Sequence, residues 1–188
     1  TILLRPLPRF KMGWPDAYKR PPLPFTEYQP AVLHFRFETA PFQRVGSISN
    51  AQVGREFELI AQRFFALQGL HLQMCHYVSV GIGATKKFHA FDLGCSEQKI
   101  LVECKSHRWT SGHNVPSAKL TVWNEAMYYF YAAPPDYRKI LFVLKDQRRG
   151  TGESLTAYYL RTYGHLVPSG IEFWEYDESM GAAIRISI

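Results

Sequence analysis

Asp92, Glu103 and Lys105 are the residues of this chain whose types and spacing could do chemistry. They lie in the run from Phe91 to Lys105, where two apolar arms, residues 88–95 and 99–104, flank the polar turn Ser96-Glu97-Gln98-Lys99. Apolar arms around a polar turn predict a β-hairpin too apolar to be a solvent-facing ribbon. If Glu97 and Gln98 form a two-residue loop, antiparallel counting pairs Ser96 with Lys99, Leu93 with Val102 and Asp92 with Glu103. Two carboxylates then stand opposite each other, where like charges repel and burial is costly unless something positive compensates. Side chains alternate along a strand, so Glu103 and Lys105 share one face while Val102 and Cys104 take the other. Two acids and an ammonium on one patch suit a hard divalent ion such as Mg²⁺, which takes oxygen ligands, keeps several waters and can share a phosphate oxygen.

Asp92, ten intervening residues and then Glu103-Cys104-Lys105 resembles the PD-(D/E)XK nuclease superfamily, which has the restriction-endonuclease-like fold. The resemblance implies that Asp92 and Glu103 hold Mg²⁺, with Mn²⁺ able to substitute, that the backbone carbonyl of Cys104 assists, and that Lys105 orients or activates the attacking water. Phe91 stands where the family carries proline. The family's further acid on the first core helix, often Gly-x-x-x-Glu, is matched by Gly54-Arg55-Glu56-Phe57-Glu58. Glu58 is thereby a candidate additional ligand, with Glu56 as the substitute. The resemblance covers residues 50–145, in the order helix acid, hairpin acids, further helix.

The elements that must position these groups are readable from periodicity. Residues 49–68 predict a helix: Ser49 and Gln52 can form a capping box, Val53, Phe57, Ile60, Ala61 and Phe64 recur at helical spacing, and Gly69 supplies a left-handed stop. A strand is expected over 70–80, and Gly81 to Ala84 turns the chain into the hairpin. No helix follows Gly81 and Gly83, so they do not form a phosphate cradle. The polar segment 106–116 leaves the strand that carries the acids and should overhang the site, which makes His107, Arg108 and Trp109 candidate phosphate and base-stacking contacts. Lys119, Lys86 and Lys87 are further candidate nucleic-acid contacts. His107, His113 and Asn114 do not have the spacing of a His-Asn-His metal nuclease. A second helix is expected over 117–133, capped by Ser117, stopped by Pro134-Pro135, and buried along Leu120, Trp123, Ala126, Met127 and Phe130. Residues 137–145 predict a fully buried strand, the parallel partner reached by the helix crossover. A basic turn at 146–152, a third helix over 153–163 ended by Gly164, and strands over 171–176 and 183–188 complete an α/β fold with a central mixed sheet flanked by helices.

The chain has 188 residues, 46% of them apolar and 15% aromatic, enough for a sizeable core. Its net charge of +6 suits an anionic partner, of which nucleic acid is the commonest. Residues 1–45 differ in texture from 46–188: seven prolines among basic residues up to Pro30 predict an extended arm, and Leu33 to Glu38 alternates as a half-buried edge strand. The arm's aromatic residues suggest packing on its own domain or on a second subunit. Cys75, Cys95 and Cys104 lie singly in apolar sequence and read as reduced, buried thiols of a cytoplasmic protein. The first residues are charged too soon for a signal peptide, and no apolar run reaches membrane length. The expectation is a Mg²⁺-dependent endonuclease of DNA working as a homodimer. The alternatives are a nuclease of RNA or branched DNA, a nucleic-acid-binding module without turnover, and an interaction protein with a basic arm.

Overall fold

The computed structural model describes residues 49–112 and 114–187; the proline-rich arm, the expected strand at 33–38 and His113 lie outside them. The chain runs α1 (Asn50–Ala66), β1 (Gln73–Val80), β2 (Lys87–Cys95), β3 (Ile100–Lys105), α2 (Ser117–Ala132), β4 (Arg138–Leu144), α3 (Leu155–Tyr163), a 3₁₀ turn (Gly164–Leu166), β5 (Ile171–Asp177) and β6 (Ala182–Ile186). The strands form one six-stranded mixed sheet in sequence order. β1, β2 and β3 are an antiparallel meander, β3, β4 and β5 run parallel, and β6 closes the far edge antiparallel.

Both parallel steps advance across the sheet in the same direction, so crossovers of one hand place α2 and α3 on the same face. Leu120, Trp123, Met127 and Phe130 of α2 and Leu155 and Tyr159 of α3 accordingly pack on Leu101, Leu141 and Val143. The opposite face is left to α1, whose Phe57, Ala61 and Phe65 cover Val102, Ile140 and Phe142. Strand alternation does the sorting, because neighbours such as Leu101 and Val102 enter different layers. No helix among the described residues is long and apolar enough to cross a membrane.

Several local expectations change. Ser49 caps α1 through Gln52 N–H at 3.1 Å, but the Gln52 side chain donates to Glu56 instead of reaching back, so the box closes on one side only. Val53 is exposed while Phe65 is buried, which turns the apolar stripe slightly around the helix. Gly69 has φ +78°, the expected left-handed stop. Ser117 is the first helical residue of α2 and not its cap; Pro116 holds the cap position and makes no side-chain bond. Gly164 is right-handed helical and leads into the 3₁₀ turn. All three cysteines are free, but Cys75 is exposed.

The hairpin turn is the four-residue stretch Ser96 to Lys99, with Lys99 at φ +53°, so Ser96 and Lys99 are not a ladder pair. The register is otherwise the expected one, Cys95↔Ile100, Gly94↔Leu101 and Leu93↔Val102. There the β2–β3 ladder stops. On the other side, β1 and β2 pair Met74↔Leu93 and then His76↔Phe91, passing over Cys75 and Asp92. Cys75 has φ +52°, a conformation disfavoured for any residue with a Cβ. Across this step the strands exchange faces. Leu93 and Met74 belong to the α1 layer, whereas Phe91 and Val78 belong to the α2 layer.

Candidate active site

The interrupted ladder sets the geometry of the acids. Asp92 is not paired across the strand with Glu103; its Oδ2 accepts the backbone N–H of Cys104 at 2.7 Å, taking a ladder acceptor's place. Glu103 lies on the α2 side of β3, buried to 7% exposure, with its Oε2 accepting from Lys105 Nζ at 2.6 Å. The same ammonium is 3.8 Å from Asp92 Oδ2. Lys105 therefore stands between the two acids and meets the charge problem that their proximity creates. As the side chains stand, no three His, Cys, Asp or Glu groups among the described residues gather as a metal cluster.

The two acids are not equivalent. Burial, then the Glu103 charge, push the Asp92 carboxyl up to about 6, against the opposing pull of Lys105 and the Cys104 N–H. Burial acts on Glu103 too, but it is outweighed by His89 and Lys105, which hold its carboxyl below the usual range. For Lys105 the desolvation that would release its proton loses to Glu103 and Asp92, and the amine is held above its ordinary value. Lys105 is a persistent cation.

Glu58 reaches the same place from α1. Together with Gly54, Asp92, Lys105 and His107 it lines a cleft of about 490 Å³. Burial raises its carboxyl against the effects of Arg55, 3.5 Å away, and Lys105. Glu56 is exposed and occupied by Gln52, so it is not the helix acid of the site. The cleft thus brings Glu58, Asp92 and Lys105 together with Cys104, while Glu103 borders a second hollow that shares Asp92 and Lys105 with it.

The expected nucleic-acid contacts divide. His107 lines the cleft, and its Nδ1 accepts from Trp123 Nε1 at 2.8 Å. Burial, with Lys119 and Lys105 nearby, pushes its imidazole down to about 4, so the ring is neutral and its Nε2 carries the proton. Lys119, exposed in the first turn of α2, lines the same cleft. Arg108 also borders it, but its guanidinium is engaged by Glu178 and Asp146. Trp109 is not a stacking platform. It is 7% exposed, packs edge-on against Tyr158 and lies under Arg148, while its backbone N–H donates to Asp146. Lys86 and Lys87 are exposed, but Lys86 borders a different hollow with Gly81 and Pro134, and neither lines the cleft.

Sequence reading passed over His89, whose Nε2 is 3.6 Å from Glu103 Oε1, and the Trp123–His107 bond. Only the placement of His89 three residues before Asp92 could have signalled the first. No family model matches the chain, and no curated protein and no solved structure matches it.

Proposed function

We propose that this chain is a Mg²⁺-dependent endonuclease that hydrolyses phosphodiester bonds of DNA, with a restriction-endonuclease-like core of the PD-(D/E)XK kind. The observation that carries the reading is that Asp92 and Lys105 of the hairpin border two hollows at once, one lined by Glu58 of the first helix and the other by Glu103. The element order α1, three antiparallel strands, α2 and a parallel β4 supports the same reading. The donor set fits a hard divalent ion: carboxylate oxygens from Asp92, Glu103 and Glu58, and the carbonyl of Cys104. Such an ion, Mg²⁺ or Mn²⁺, would supply a water of lowered pKa and charge neutralisation at the phosphate.

The chain's own groups do the remainder. Asp92 is oriented by the Cys104 N–H. Lys105, held protonated by Glu103 and Asp92, donates hydrogen bonds to the attacking water or to a phosphate oxygen as charge builds there. His107 offers a neutral N–H, and Lys119 adds charge at the rim. The water oxygen bonds to phosphorus, the bond to the leaving oxygen breaks, the water's proton passes to solvent, and the leaving oxygen takes a proton from solvent to become a hydroxyl. A homodimer and a cytoplasmic location belong to the same proposal, the latter supported by the three free thiols.

The test is cleavage of double-stranded, single-stranded and branched DNA and of RNA, with Mg²⁺ and with EDTA. Cleavage is expected to need the ion and to vanish in Asp92→Ala, Glu103→Ala and Lys105→Ala while each variant stays folded. Undiminished cutting in EDTA, or by either acid variant, overturns the proposal. Exclusive cutting of RNA would transfer it to that substrate.

A further inference from the structure

His89 is a half-buried residue with a buried Nε2 that the proposed chemistry leaves unused. Its ring is clamped: it stacks on Tyr129 of α2, centroids 3.5 Å apart and planes 10° from parallel, and meets Phe91 edge-on at 4.8 Å. A ring gripped on two sides keeps its Nε2 aimed in one direction. That nitrogen is shut off from solvent and has no hydrogen-bond partner among the described residues, yet Glu103 Oε1 is only 3.6 Å away. A ring nitrogen so placed and left unmet is unfavourable, a penalty that a small approach of the carboxylate to its N–H would remove. What draws the carboxylate elsewhere is Lys105, 2.6 Å from the other oxygen. A cavity of about 220 Å³ borders His89, Glu103 and Lys105 and leaves these side chains room to move.

We infer that His89 is a positioning residue that takes Glu103 Oε1 when Lys105 turns to the substrate, so that Glu103 keeps one orientation through the reaction. The inference rests on the nuclease reading, in which Lys105 must leave Glu103 in order to serve water or phosphate. A clamped imidazole is suited to the task because it cannot follow the ammonium outward.

The experiment compares His89→Phe, which keeps the flat ring and loses the donor, with His89→Gln, which keeps a donor. Mn²⁺ binding is read by calorimetry and folding by thermal melts in EDTA. His89→Phe should melt near wild type and bind Mn²⁺ about 10–100-fold more weakly, whereas His89→Gln should recover most of the affinity. If phenylalanine is not tolerated, His89→Met against His89→Gln repeats the comparison at similar length. Wild-type Mn²⁺ affinity in the donorless variant, or equal losses in both variants, overturns the inference while leaving the nuclease reading intact. A wild-type chain that neither binds Mn²⁺ nor cuts nucleic acid removes both.

Discussion

Replacing Asp92 and Glu103 by their amides should move stability in opposite directions, even though both are acids of one site. Asp92 is mostly buried, and its carboxyl rises from 3.8 to about 6. The folded state therefore holds this proton more tightly than the unfolded state does. Its stabilising contribution is complete below 3.8 and is lost as pH rises to about 6. A shift of about two units corresponds to about 3 kcal/mol, the upper bound on what the ionised side chain costs at pH 8. Asp92→Asn removes that charge, keeps an oxygen for the Cys104 N–H and leaves Lys105 on Glu103. The metal-free protein should gain about 1–3 kcal/mol, or about 2–4 °C per kcal/mol for a domain of this size. Glu103 has the opposite sign. Its carboxyl is held down, so its contribution is present above the unfolded value of 4.5 and is lost as pH falls through the lower folded one. Glu103→Gln strands the buried Lys105 ammonium with only Asp92, 3.8 Å away, and should cost about 3–5 kcal/mol. Thermal melts at pH 8 in EDTA read both changes, and Mn²⁺ should raise the melting point of wild type alone. Shifts of the same sign in the two amides would refute the account of how Lys105 divides itself between the acids.

Three further outcomes follow from other parts of the molecule. A Cβ at Gly94 would lie 2.5 Å from the His76 ring and 2.8 Å from that residue's own Cβ, so Gly94→Ala should lose about 1–3 kcal/mol by denaturation, and His76→Ala, which keeps its Cβ, should recover only part of it in the double variant. His107, pushed down to about 4 from 6.5, should show no NMR titration step near 6.5. Its unfolded form takes the proton first, so its contribution to stability is lost as pH falls from 6.5 toward 4, and Trp123→Phe, which removes the donor to Nδ1, should raise the imidazole's pKa. Trp109→Ala should destabilise by about 3–5 kcal/mol in melts, whereas Trp109→Phe should keep nucleic-acid affinity in a binding titration; loss of affinity in a stable Trp109→Phe would restore the stacking role.

The helices and the central strand were legible because burial enforces periodicity: Leu120, Trp123, Ala126, Met127 and Phe130 are the stripe of α2, and Ile140 to Leu144 is buried on both faces. Asp92, Glu103 and Lys105 were legible as a group because acids within apolar sequence need a common counter-charge, whereas Glu58 entered only through the resemblance of residues 54–58 to a nuclease pattern. Their arrangement was not. Simple counting assumes an unbroken ladder, and nothing local to Cys75 announces a left-handed residue that interrupts the β1–β2 ladder beside Asp92. Trp109 misled for a different reason: its neighbours in sequence are polar, and its burial is decided by Tyr158 and Arg148, far along the chain. Arg108 was likewise spent on partners from β4's end and the β5–β6 turn that no short window contains.

A strand amide inside a sheet is ordinarily held by a neighbouring carbonyl, an acceptor of fixed strength. Cys104 N–H is held by the Asp92 carboxylate. The strength of that acceptor changes with protonation and with any cation that competes for its oxygens. The protection of this single amide, taken relative to the base-catalysed exchange rate that all amides share, should therefore track the charge state of the cleft, weakening as Asp92 takes a proton. On the same relative scale, amides of the adjoining β3–β4 ladder, held by backbone, stay constant beside it. The fold thus contains its own gauge, a backbone hydrogen in the middle of a sheet that registers what the side chains around it are doing.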